Sequence, residues 1–189
     1  ETLTLVFERD EGDPATPPQN PPASPATGAS AIDAKLKFRR LLAVGPEVTV
    51  RSARSDMQGW MTSLNYDEQN RIIALSDPRH VRLLQRNNEI LCPEITAVLD
   101  EDKKQIEQVE CRGAGQLYQY ARDTDQNLPT TRKKRELSAT WQRVLKKVPD
   151  VDGLDLIELT GRAELKRIGQ MSLEADVIGI WVTRGNGRI

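Results

Sequence analysis

The residues able to do chemistry are few, and they are scattered. The chain has one histidine, His80, and two cysteines, Cys92 and Cys111. A zinc site needs about four such ligands at characteristic spacing, and neither the cysteines nor the histidine has that company. The acids Asp100 and Asp102, or Asp150, Asp152 and Asp155, can be drawn as a glycosidase couple or a calcium loop. Acids in polar turns are expected on solvation grounds alone, and no nucleophile, base and oxyanion donor converge. No G-x-S-x-G, Walker loop or G-x-G-x-x-G occurs. The sequence therefore reads as a non-enzymatic chain, with no catalytic residue, metal ligand or cofactor assigned.

Cys92 and Cys111 invite a geometric argument. A hairpin turning at Glu101-Asp102 would set them opposite one another on paired strands. They are then either a cross-strand disulfide, given an oxidising compartment, or two small buried thiols.

The elements that position these residues follow from composition and pattern. Of 189 residues, 38% are hydrophobic and 29% charged, so a core must be thin relative to its surface, as in a flattened or elongated sheet structure. The formal net charge is −1, which supplies no field to steer the chain onto nucleic acid or an anionic bilayer. No stretch approaches the ~20 apolar residues of a membrane-spanning helix. The chain opens at Glu1, at the edge of an apparent strand, which suggests a domain cut from a longer protein.

Residues 2 to 8 alternate Leu3, Leu5 and Phe7 among β-branched neighbours, the pattern of a strand. Residues 10–31 are rich in Pro, Ala, Ser and Thr. Their prolines remove hydrogen-bond donors and fix φ, giving a flexible insertion that is better taken as a solvated loop than as a ligand for a proline-binding groove. From Ile32 short strand-like runs return, spaced as antiparallel hairpins with polar turns at Asp67-Asn70 and Asp100-Lys104. Glu136 to Val148 reads as strand plus loop, with Lys146-Asp150 as a turn. Residues 121–136 form a polar loop, and its run Arg132-Lys133-Lys134-Arg135 reads as a solvated loop before a headgroup contact.

One motif recurs: a small or apolar residue, a polar one, Gly or Asp, then a strand. Its markers are Gly45, Asp77, Gly113 and Gly161, residues that tolerate bulged or left-handed backbone where a strand must bend. The pairs Leu64/Tyr66, Ala97/Leu99, Ala139/Trp141 and Gly179/Trp181 stand two apart, hence on one strand face. They suggest a ladder of large residues on an interior wall, taken as core packing in preference to a ligand platform.

The run L-T-G-x-A-x-L…L-x-A-D-x-I from Leu159 to Ile178, preceded by a strand ending in Trp141 and by looser copies of the same pattern, resembles the LptA/OstA-like lipopolysaccharide-transport family over most of residues 32–182. The resemblance implies an all-β domain of repeated antiparallel hairpins forming an open, twisted β-jellyroll. It also implies a periplasmic or envelope-associated location, and an apolar interior that carries the acyl chains of lipopolysaccharide or a related glycolipid. Pairing of edge strands with other OstA-like domains, head to tail, is implied as well. The inward candidates for the lipid-facing interior are Val48, Val50, Leu64, Val81, Leu83, Ile95, Leu117, Leu165, Val177 and Ile180. The proline-rich insertion, the basic loop and the two cysteines are departures from the family pattern. The rival reading is a structural or protein-interaction module with a filled core and no lipid cargo. A carbohydrate-active β-helix is disfavoured, because the marker residues are unevenly spaced.

Overall fold

The computed structural model describes residues 2–9, 36–53, 56–102, 106–121 and 134–183. The proline-rich segment and most of the basic loop lie outside them. Among the described residues the chain is antiparallel β-sheet with one short 3-10 turn at Val151–Gly153, so the expected all-β class holds. The strands are β1 (Thr2–Arg9), β2 (Leu36–Ser52), β3 (Met57–Asp67), β4 (Ile72–Gln85), β5 (Asn88–Leu99), β6 (Ile106–Arg112), β7 (Gly115–Tyr120), β8 (Arg135–Trp141), β9 (Val144–Pro149), β10 (Leu154–Arg167) and β11 (Met171–Thr183).

The register explains why so many strands form one sheet. β6 and β7 are two halves of one long strand bent at Gly113-Ala114, and β8 and β9 are two halves of another bent at Gln142-Arg143. β6 pairs with β9 and β7 with β8 in the same antiparallel sense. β5 lies along both β6 and β7, and β10 along both β9 and β8. The sheet is thus a meander in which each long strand from β2 onward hydrogen-bonds to the next, closing at β10–β11.

Every long strand breaks register near its middle. Pairing shifts between Val44 and Val48, between Ser76 and Val81, and between Thr160 and Ala163. The four marker residues sit in these breaks: Gly45, Asp77 and Gly161 within the shifts, Gly113 between β6 and β7. Gly113 and Gly161 have φ of +85° and +80°, backbone that costs a residue with a Cβ energy. Asp77 works differently. Its Oδ1 accepts the backbone N–H groups of Arg79 (2.8 Å) and His80 (3.2 Å), satisfying donors that the bulge takes out of the ladder. Across the bend the ladder is carried by Gly113 N–H to Arg143 O (2.8 Å) and Gln142 N–H to Gly161 O (2.8 Å).

Bulges aligned across neighbouring strands crease the whole sheet, and a creased sheet that buries one face buries the concave one. On one side of the crease the register lines up Ala43, Leu64, Leu75, Ile95, Cys111, Leu145, Leu159 and Ile178. On the other it lines up Val50, Gly59, Leu83, Ile90, Leu117, Ala139, Leu165 and Leu173. Residues of both rows belong to a single hydrophobic cluster, so the two walls share one core.

Two expectations for this region need correcting. Lys146-Lys147-Val148 is not a turn but part of β9, hydrogen-bonded between β6 and β10, and the turn lies beyond it at Val151–Gly153. A ladder with partners on both sides outweighs the weak strand preference of consecutive lysines. Trp181 does not join an interior ladder. It is 59% exposed on the outer face of β11, with its ring over Gly179 and its indole N–H donating to Asp150 Oδ2 at 2.7 Å.

Candidate apolar trough

The inner face is closed at the crease and opens away from it. Met61, Val81, Cys92, Cys111 and Trp141 flank the bend and are buried, with Val81 and both cysteines at 0% exposure. One layer further out, Val50, Leu83, Ile90 and Leu117 on one wall, and Tyr66, Ile73, Val109, Ile157 and Ile180 on the other, are only half-buried while still packed on the core. The geometry is that of a trough with a sealed floor and apolar, solvent-touched lips.

Of the residues expected inside, Leu64, Val81, Ile95 and Leu165 are buried, and Val48, Val50, Leu83, Leu117 and Ile180 pack on the core from partly buried positions. Val177 is a correction. It is 56% exposed and lies on the outer face opposite Thr160, whereas Ile178, its neighbour, is 4% exposed and lies inside. The side-chain alternation of β11 changes phase where its pairing to β10 slips between Thr160 and Ala163. Leu173 and Ala175 share the inner face before the slip, Ile178 and Ile180 after it. Counting in twos from Leu173 through the slip lands on Val177, one face out of phase.

The cysteines also differ from expectation. Cys111 lies opposite Ile95, not Cys92, because the β5–β6 connection runs on to Ile106 and shifts the register between Val98 and Leu99. Both are free thiols. The crease nevertheless brings them together. Cys92 donates to the Glu94 carbonyl (3.2 Å), and the Cys111 thiol is hydrogen-bonded to Cys92, a contact which with burial holds its pKa far above the ordinary thiol value.

Polar groups stand along one lip of the trough. Lys147 Nζ and Asp155 Oδ2 form an ion pair of 3.0 Å with both side chains nearly buried. They sit on the inner face, Lys147 opposite Val109 and Ile157, Asp155 two residues before Ile157. Tyr66, in the same register row as Lys147 but four strands away, donates its hydroxyl to Glu68, and burial, followed by that hydrogen bond, pushes its pKa to about 12. Sequence reasoning did not single out this pair. Alternation from Leu159 through Ile157 to Asp155 carried the signal for the acid. On the outer face Glu89, also missed, is buried between Arg82 (2.6 Å) and the Tyr120 hydroxyl, while Arg82 stacks over Trp60 at 5.0 Å and Arg135 over Tyr118 at 4.0 Å.

The acids considered for chemistry do not converge. Asp155 is committed to Lys147 and Asp150 to Trp181, and the side chain of Asp152 lies outside the described residues. His80 is exposed at the crease. Among the described residues no three of His, Cys, Asp and Glu are grouped to hold a metal ion, and no helix is long and apolar enough to cross a membrane. What the arrangement offers is an apolar surface of defined shape. Compared with known proteins, the chain matches no family model and no curated sequence.

Proposed function

We propose that this chain is a non-enzymatic lipid-binding domain of the Gram-negative envelope, of the OstA-like kind. Its trough receives the acyl chains of lipopolysaccharide or a related glycolipid in the periplasm. The observation that carries the reading is the gradient of burial on the inner face. Aliphatic side chains, Leu83 and Leu117 on one lip and Ile73 and Ile157 on the other, stay in contact with water. Covering them with hydrocarbon gains about 25 cal/mol per Å² of apolar surface, and a creased sheet can accept a chain between its walls without losing backbone hydrogen bonds. The polar groups Lys147, Asp155 and Tyr66 along one lip suit a cargo that is amphipathic.

The sealed floor of Val81, Cys92, Cys111 and Trp141 favours a second reading, a structural or interaction module whose interior is simply filled. The two separate by photo-crosslinking. A photoreactive residue at Leu83 or Leu117 should label lipopolysaccharide, and one at Val177, on the outer face, should not. No adduct from either lip position, or equal labelling from Val177, would remove the transport reading and leave the module.

Edge pairing belongs to the same proposal. β11 pairs only with β10 and β1 only with β2 among the described residues, so the sheet has two terminal strands through which such domains join head to tail.

A further inference from the structure

Neither reading of the trough uses the thiol chemistry of the two cysteines at its floor. Cys92 lies on β5 just to one side of the crease, and Cys111 lies on β6 just to the other, one residue before the Arg112-Gly113 corner. Both side chains are completely buried in one core cluster, and Cys92 Sγ reaches the carbonyl of Glu94 (3.2 Å), a residue paired with Arg112, next to Cys111. They are not opposite in register, so on a flat sheet the offset would keep the sulfurs apart. The fold in the sheet, with Gly113 at φ +85° packed against Pro93, closes that gap.

We propose that Cys92 and Cys111 are a latent disulfide that staples the crease, formed by exchange with a disulfide oxidant such as a dithiol-disulfide oxidoreductase or a small-molecule disulfide. One cysteine, as thiolate, attacks a sulfur of the donor disulfide and expels one donor thiolate, leaving a mixed disulfide. The second cysteine, on losing its proton, attacks the cysteine sulfur of that mixed disulfide and expels the other donor thiolate. The two protein thiols are oxidised, the donor disulfide is reduced to two thiols, and the two protons released leave with the donor. Because neither sulfur is exposed in the folded sheet, the exchange takes place while the chain is folding or while β5 and β6 are parted. The closed bond then fixes the angle between the two walls of the trough. It stands apart from the cargo, so a chain that binds no lipid would still be stapled.

The test is to refold the chain from denaturant, once with a reductant and once with a glutathione redox buffer, and to count thiols by alkylation and mass. Refolding under oxidising conditions should give a monomer lighter by two hydrogens with no alkylated cysteine in denaturant. Its midpoint of thermal unfolding should rise by about 5–10 °C over the reduced form. The natively folded reduced protein should resist alkylation until denaturant is added. Cys92→Ser and Cys111→Ser, each alone, should fold and show no redox-dependent shift. Two free thiols, or a persistent glutathione adduct, in the folded oxidised preparation would overturn the proposal. A bond that forms with no rise in the unfolding midpoint would overturn the staple.

Discussion

Gly115 is set by the side chain opposite it. It faces Trp141 across the β7–β8 ladder, and a Cβ on residue 115 would lie 2.2 Å from the ring atom Cζ2 and 2.9 Å from the Leu91 carbonyl. The indole therefore lies flat over bare backbone at the crease, which is how the largest buried side chain fits into the narrowest part of the trough. Gly115→Ala should cost ~1–3 kcal/mol of stability through overpacking, measured by urea unfolding. In a Trp141→Leu background the same substitution should cost clearly less, because the ring is gone, and equal costs in both backgrounds would refute the steric account. Nothing in the residue 115 neighbourhood of the sequence announces this. Gly113-Ala114-Gly115 reads as a bend, and only the register reveals that the first glycine serves the backbone while the second serves a neighbour.

At the scale of elements, β11 shows both how far pattern reading reaches and where it stops. Alternation identifies the strand and the Gly/Asp markers locate the crease, because φ above zero and side-chain capping of a bulge are local demands that local residues must meet. Which face a residue takes beyond the crease is set by how many residues the bulge absorbs, a property of the pairing with β10 and not of β11 alone. Counting in twos through the bulge therefore puts Val177 inside, and counting from a shorter β5–β6 turn puts Cys111 opposite Cys92. The shared core of the two walls could be anticipated from Val81, Ile95 and Leu165, whereas the inward Lys147–Asp155 pair, set among aliphatic neighbours, runs against what composition suggests. The phase change makes an unequal pair of neighbours. Ile178→Ala should destabilise the fold by ~2–5 kcal/mol, as expected for an emptied core position, and Val177→Ala should stay within ~0.5 kcal/mol. Chemical denaturation of both variants decides it, and a larger loss at Val177 would mean that β11 keeps a single phase throughout.

For the whole molecule the feature with most consequence is its terminal strand. β11 runs for 13 residues with no partner on its outer edge among the described residues, and Met171, Leu173, Val177 and Trp181 are its exposed apolar side chains. A long, apolar, unpaired edge ordinarily invites association, and proteins blunt such edges with lysine, proline or bulges. Here Glu174 and Asp176 are the only charges on the strand. If the sheet continues from one copy to the next, as the proposed function requires, the mass seen by sedimentation should rise with protein concentration. Ser172→Lys combined with Val177→Lys should then weaken self-association at least tenfold, about 1.4 kcal/mol. Both positions are exposed on the outer face, so the lysines should leave the strand content and the thermal midpoint of the single copy nearly unchanged. A chain that stays monomeric at every concentration, or an association the two lysines do not touch, would place the contact elsewhere and leave each trough to work alone. Under that outcome a lipid entering one domain has no continuous apolar path into the next, and the domain would act as a holder of its cargo instead of a segment of a bridge.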